Sequence, residues 1–205
     1  MNDLKISIIV AMDEKRGIGK DNKIPWHIKE DLVKLKNLTK DRVVILGRIT
    51  YDSMVWYYNK SGNPMPGKLY IVVTHDKNYK PVRDNSVAVN SLEDALEIAK
   101  EKQGHSFVIA SEVPLSGAKR SNLKSMGLPR RYAPRNDNNK EIFIIGGGQI
   151  FQQALPLADK LYLTIVEGDF GCDTFFPSFS EFKKVISEES KESDGHKYKF
   201  LELEK

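Results

Sequence analysis

The chain has 205 residues, 40% of them apolar and 29% charged, proportions of a soluble globular protein long enough to bury a substantial core in one domain. A single cysteine, Cys172, excludes an internal disulfide framework and a multi-cysteine metal site. The histidines (His27, His75, His105 and His196) lack ligand spacing, so no metal is expected. No basic leader with an apolar core opens the chain and no apolar run reaches membrane-spanning length, so a cytoplasmic protein without membrane contact is expected.

Residues 6–11 form a nearly continuous apolar run, as in a strand covered on both faces. Similar runs occupy 43–46, 69–73 and 142–145, and helical periodicity marks 29–38, 50–54, 91–102 and 149–155. Ser91 with Asp94 opens the third helix like a capping box, with Asp in place of the usual Glu or Gln. Residues 161–167 read as another strand, and 182–189 and 196–204 flank the turn signal Ser193-Asp194-Gly195 as a C-terminal hairpin. The alternation predicts an α/β domain: a central eight-stranded, mostly parallel sheet, helices on both faces and that antiparallel hairpin. Seven of the strands are placed by these runs.

Residues 104–138 break the pattern, with Pro114, Gly117, Gly127, Pro129 and Pro134 and no sustained period. So long a structureless stretch between a helix and a strand reads as a flexible insertion. It holds six basic and two acidic residues; removing these from 32 and 28 leaves 26 of each, so the whole net charge of +4 lies there. A neutral body argues against an electrostatic nucleic-acid face. Helix-to-strand loops lie at the N-terminal edge of a parallel sheet and ligands bind at the other edge, which places the insertion away from the chemistry. Its end, Leu128-Pro129-Arg130-Arg131-Tyr132-Ala133-Pro134-Arg135-Asn136-Asp137, resembles translated palindromic repeats found inside some bacterial genes.

One carboxylate stands out. Positions 28, 31, 32 and 35 share a helical face, and Ile28, Leu32 and Leu35 make Asp31 the polar member of an apolar stripe. A carboxylate there must find donors, raise its pKa or bind a ligand that needs it. Alternatively, Asp31 serves only the helix dipole, which Glu30 beside it does equally well.

Three strand ends carry ligand-binding features. Gly146-Gly147-Gly148, between an apolar strand and a helix, lets a ligand approach the backbone, although it is not the G-x-G-x-x-G fingerprint. Gly47-Arg48-Ile49-Thr50 offers free N–H groups and a guanidinium at a helix start. Thr74-His75 ends a third strand, where with Arg48 it suits the extra phosphate of NADP; a plain surface turn is the other reading. The loop 16–23, with Gly17 and Gly19, has the composition of a lid. Trp26 is either a core aromatic or a wall near Asp31.

Taken in order, the first apolar strand, Gly17-Ile18-Gly19, Ile24-Pro25-Trp26, Asp31, Gly47-Arg48-Ile49-Thr50, Pro64-Met65-Pro66-Gly67, Ile145-Gly146-Gly147-Gly148, Leu161-Tyr162-Leu163-Thr164 and Asp173-Thr174-Phe175-Phe176-Pro177 resemble the dihydrofolate reductase family. The match covers nearly all of the chain outside 104–138 and about 55–62, and its specificity lies in the order of short motifs. The resemblance implies reduction of 7,8-dihydrofolate to tetrahydrofolate with NADPH, hydride passing to pterin C6 and a proton to N5. It implies that Asp31 binds the pterin and promotes protonation through water, that Thr164 bonds Asp31 and the pterin, and that Trp26 holds the ordered water. Ile9, Val10, Leu32, Leu35, Met54 and Ile145 would wall the substrate site. Ala11, Ile18 and Gly19 would meet the cofactor from the first strand and the lid, and Thr174 from the Asp173-Thr174-Phe175-Phe176-Pro177 motif. Gly47, Arg48, Ile49, Thr50, Thr74 and His75 would meet it at two strand ends. Gly146, Gly147, Gly148, Gln149, Ile150 and Phe151 would meet it at the third, with a cis peptide joining Gly146 and Gly147. Further expectations are antifolate binding and a monomeric state.

The chain departs from the family in places. Lys68 stands where the family has an arginine that grips the substrate's glutamate carboxylate; it keeps the charge and loses the bidentate fork, and Lys36 is a candidate helper. Phe151 replaces a tyrosine. Trp56, Tyr57 and Tyr58, in the extra stretch 55–62, either line the substrate tail or cover the core. Rival readings are a pyrimidine reductase of riboflavin synthesis, an NADP-binding module without turnover, and nucleic-acid binding through the insertion.

Overall fold

The apolar run predicted at residues 6–11 becomes β1 (Lys5–Asp13), one of the two innermost strands of an eight-stranded sheet. In this computed structural model residues 4–104 and 141–205 are described; the expected insertion, apart from Gly104, lies outside them. The other elements are β2 (Gly17–Gly19), α1 (Lys29–Thr39), β3 (Val43–Gly47), α2 (Arg48–Ser61), β4 (Leu69–Val73), β5 (Ser86–Val89) and α3 (Leu92–Gly104). After residue 140 come β6 (Glu141–Ile144), α4 (Gly148–Ala154), a 3-10 turn (Leu155–Leu157), β7 (Lys160–Val166), β8 (Thr174–Phe175), β9 (Lys184–Ser193) and β10 (His196–Glu204).

The sheet order is β5-β4-β3-β6-β1-β7-β10-β9. The first six strands are parallel, and β10 joins β7 and β9 antiparallel. Alternation along the strands sorts the helices. Ile8, Val10, Ile45, Ile71, Ile144 and Leu163 point to the face covered by α3 and α4. Ile9, Phe143 and Tyr162 point to the other, where Leu35 and Leu38 of α1 pack on them. On that same face Tyr51 and Val55 of α2 pack on Val44, Leu46, Tyr70 and Val72. Each fully buried aliphatic side chain adds about 1.5–3 kcal/mol, so the two-sided core favours this register strongly.

Several boundaries move. The eighth strand, unplaced in the sequence, is β5, whose Ser-Val-Ala-Val run is short and only half-buried at the sheet edge. The helix expected at 50–54 runs to Ser61, because residues 55–62 continue it; Val55 and Tyr58 keep a buried face, and Gly62 closes it at φ +69°. The strand expected from Phe182 begins at Lys184, and the pair β2–β8 was not foreseen. The Ser91 hydroxyl accepts the Asp94 N–H at 3.1 Å, as the capping pattern requires.

Candidate active site

Asp31 lies in the first turn of α1, facing the sheet. The Thr164 hydroxyl, on β7, donates to its carboxylate at 2.6 Å. Burial pushes the Asp31 carboxyl above its ordinary value, and the Thr164 bond and the nearby Lys34 ammonium draw it partly back. The residue occupies the helix N-terminus and is a desolvated carboxylate with one fixed donor.

The helix that carries Asp31 does not cap itself. Ile28, at its N-cap, has no side-chain acceptor. The acceptor comes from the far end of the chain: Asp194, in the β9–β10 turn, takes the Lys29 N–H at 3.0 Å. Asp194 and Gly195 both adopt left-handed conformations (φ +51° and +77°), as an Asp-Gly hairpin turn favours. The Tyr198 hydroxyl donates to Glu30 at 2.8 Å, so the hairpin holds the first turn of α1 at two places.

Of the expected substrate walls, Ile9 and Leu35 share one cluster, Met54 belongs to the α2 cluster, and Ile145 packs against both. Leu32 is half-buried beside Asp31. The Val10 side chain, expected among these walls, points into the α3/α4 core, because adjacent strand residues face opposite sides. Trp26 is buried with Ile28, Val166, Tyr198 and Phe200, and meets the Phe170 ring edge-on at 5.0 Å. Phe200 is the cross-strand neighbour of Thr164, so this cluster adjoins the carboxylate. Trp56 and Tyr57 are exposed and Tyr58 is buried, which divides the three aromatics between surface and core.

At the C-terminal edge of the sheet the glycine turns meet. Gly47 N–H donates to the Gly146 carbonyl at 2.7 Å, and Thr50 lies against both Gly146 and Gly147. Gly146 has φ +123°, open to glycine alone, and a cis peptide joins it to Gly147. A Cβ on Gly148 would lie 2.8 Å from Thr174 and 3.8 Å from Ile18, so the small β2–β8 sheet closes directly on this turn. Ile150 and Phe151 are buried beneath it, Phe151 edge-on to Phe176 at 5.1 Å, so their side chains support the turn from the core while Gln149 stays exposed. Gly47 pairs with Val73, which brings Arg48 beside Thr74 and His75; the guanidinium lies over the Tyr79 ring, 5.8 Å from its centre, and Ile49 is exposed.

Asp13 was missed. It is buried at the end of β1, and its carboxylate accepts the N–H groups of Lys15 (2.9 Å), Gly17 (2.7 Å) and Phe170 (3.4 Å). It therefore folds the glycine loop back on the sheet. The available signal was an acid at a strand end before a glycine turn. Gly17 has no alternative, since a Cβ there would meet Cys172 and Asp13 at 2.5–2.7 Å.

The segment Pro64-Met65-Pro66-Gly67 is fastened beside Tyr70, whose hydroxyl takes the Gly67 N–H at 2.7 Å. Lys68 N–H donates to the Arg42 carbonyl at 2.8 Å, and the Lys68 side chain is exposed, as is that of Lys36. Among the described residues no cluster of ligating side chains has metal-binding geometry, and no helix is long and apolar enough to cross a membrane.

An α/β sheet with glycine turns at the ends of adjacent strands, a half-buried carboxylate on the neighbouring helix and an arginine at a strand end defines a nucleotide-dependent reductase. The sequence model of the dihydrofolate reductase family matches residues 5–113 and 117–205. The dihydrofolate reductase of Staphylococcus haemolyticus is 33% identical over 199 residues, covering 96% of this chain and 92% of that protein. That of Bacillus subtilis strain 168 is 33% identical over 206 residues, covering 98% and 94%. A solved dihydrofolate reductase from Enterococcus faecalis, complexed with NADP(H) and RAB-propyl, superposes with a TM-score of 0.67 at 24% identity over 98% of this chain and 95% of that one. The chain belongs to the dihydrofolate reductase family. It is an NADP-dependent oxidoreductase that reduces dihydrofolate.

Proposed function

We propose that Asp31 is the group on which turnover depends. The observation that supports this is a desolvated carboxylate in the first turn of α1, fixed by the Thr164 hydroxyl of β7 at 2.6 Å. Asp31 binds the amino group and ring nitrogen of the pterin. It favours the protonated substrate, with the proton reaching N5 through a water that Trp26 helps to hold. Thr164 fixes the carboxylate, while Ile9, Leu32, Leu35, Met54 and Ile145 exclude bulk water from the rings.

The residues present fit NADPH. Gly146, Gly147 and Gly148 leave a backbone cradle in which a Cβ on Gly148 would meet Thr174. Ala11, Ile18, Gly19, Gly47, Ile49, Thr50, Gln149 and Thr174 would hold the rest of the cofactor, and Arg48, Thr74 and His75 would receive its extra phosphate. NADPH, when bound, supplies the hydride. Lys68, with Lys36 near the helix end, holds the glutamate tail.

Antifolates compete for the same pterin site. The chain acts as a cytoplasmic monomer without nucleic acid, and forms one domain carrying 104–138 as an insertion. The test follows NADPH absorbance on addition of dihydrofolate, with Asp31→Asn in parallel. Consumption that needs dihydrofolate and Asp31 is expected; full turnover without the carboxylate overturns the assignment. Bound NADPH without consumption points to an inactive binding module.

A further inference from the structure

Lys34 lies one helical turn beyond Asp31 on α1, and no sequence motif singles it out. Its side chain is half-buried, and its ammonium sits 4.1 Å from the centre of the Phe200 ring. Phe200 is the cross-strand partner of Thr164. One β7–β10 pair thus holds two neighbouring positions of the helix: Thr164 bonds the carboxylate and the aromatic face seats the cation. No carboxylate among the described residues lies within 4 Å of the Lys34 ammonium, so it is not committed to an ion pair.

We propose that Lys34 is a positioning residue of this reductase: its ammonium, seated on Phe200 one turn from Asp31, sets the pH range over which the Asp31 carboxylate serves the pterin. The inference rests on the catalytic reading of Asp31 and deepens it.

Other charges around the slot do not replace Lys34. On β10, Glu202 is tied to Lys160 of β7 at 2.8 Å. On β9, the Lys191 ammonium also lies over the Phe200 ring, farther out at 5.6 Å, and pairs with Glu30 (3.5 Å) and Glu189 (3.3 Å). Tyr198 donates to Glu30, and the Tyr162 ring lies under the Lys160 ammonium at 4.4 Å. Lys34 is the charge whose field reaches Asp31, favouring the ionised carboxylate against the opposing effect of burial. Burial disfavours the Lys34 cation in turn, while Glu202, Asp31 and Glu189 support it.

The experiment measures kcat/KM for dihydrofolate against pH at saturating NADPH in the wild type, Lys34→Met, Lys34→Arg and Asp31→Asn. An NMR titration of the Asp31 carboxyl carbon accompanies it in the first three. Methionine keeps an apolar stem on Phe200 and removes the charge; Lys34→Gln replaces it should that variant fail to fold. The limb of the profile that Asp31→Asn abolishes is expected to move to higher pH in Lys34→Met and to return in Lys34→Arg. The carboxyl titration should move in the same direction. An unmoved carboxyl midpoint in Lys34→Met, or an equal shift in Lys34→Arg, overturns the proposal. Should Asp31→Asn leave the limb in place, the catalytic reading of Asp31 fails, and the NMR midpoint still decides the action of Lys34.

Discussion

Asp31 carries opposing demands. Its carboxyl titrates above the ordinary aspartate value of 3.8, chiefly through burial. The folded protein therefore holds this proton more tightly than the unfolded chain, and ionisation costs stability. The cost is absent in acid below the unfolded value, develops as the pH rises through the raised one, and is complete above it. Asp31→Asn removes the cost and keeps an acceptor for Thr164. We expect this variant to melt higher than the wild type at neutral pH, with the advantage fading in acid, while turnover falls by about a hundredfold or more. Melting curves across pH beside steady-state rates check both halves; lower stability at neutral pH would contradict the first. Lys68 presents a simpler case. Its backbone is fixed by Arg42 and its ammonium is exposed, so Lys68→Arg restores a fork without disturbing packing. The KM for dihydrofolate should fall by about fivefold, equivalent to roughly 1 kcal/mol, and a KM unchanged or raised in steady-state assays would remove Lys68 from tail recognition.

Among the elements, α1 depends on the hairpin that ends the chain. Its first N–H group is capped by Asp194, 165 positions away, and its Glu30 receives the Tyr198 hydroxyl. Asp194→Gly keeps the left-handed turn and deletes the acceptor, so it isolates the cap from the turn. A loss of about 1 kcal/mol in chemical denaturation is expected, together with a lower kcat, because the capped turn carries Asp31. Unchanged stability would mean that water caps the helix equally well. The helix itself was legible as apolar periodicity, and so was the odd carboxylate within it. Its cap was not, because the partners are joined only when β10 pairs with β7. The second helix shows the converse: residues 55–62 look inserted in sequence, yet Val55 and Tyr58 extend the buried stripe begun by Tyr51. Insertion at a helix end preserves the period, which makes it invisible as an element boundary.

For the whole molecule, the parallel order places the glycine turns on one edge and the end of α3 and the start of β6, which flank 105–140 in sequence, on the other. Replacing 105–138 with a short Gly/Ser linker is therefore expected to leave dihydrofolate reduction within about twofold of the full chain, with little change in melting temperature. A deletion that abolishes turnover in a folded protein would refute the reading of this segment as an insertion away from the chemistry.

The sequence by itself determined the class of fold, seven of its strands, its helices, the glycine turns and the carboxylate. Each is a local pattern of period, backbone freedom or charge, and such patterns survive without knowledge of distant contacts. Tertiary structure alone decided which side of β1 faces Asp31, turning Val10 away while keeping Ile9. It also brought Asp13 to the glycine loop, Asp194 to the helix start and Phe200 under Lys34. These depend on sheet register and strand adjacency, where one residue of slip reverses every side chain and no short window of sequence records the outcome.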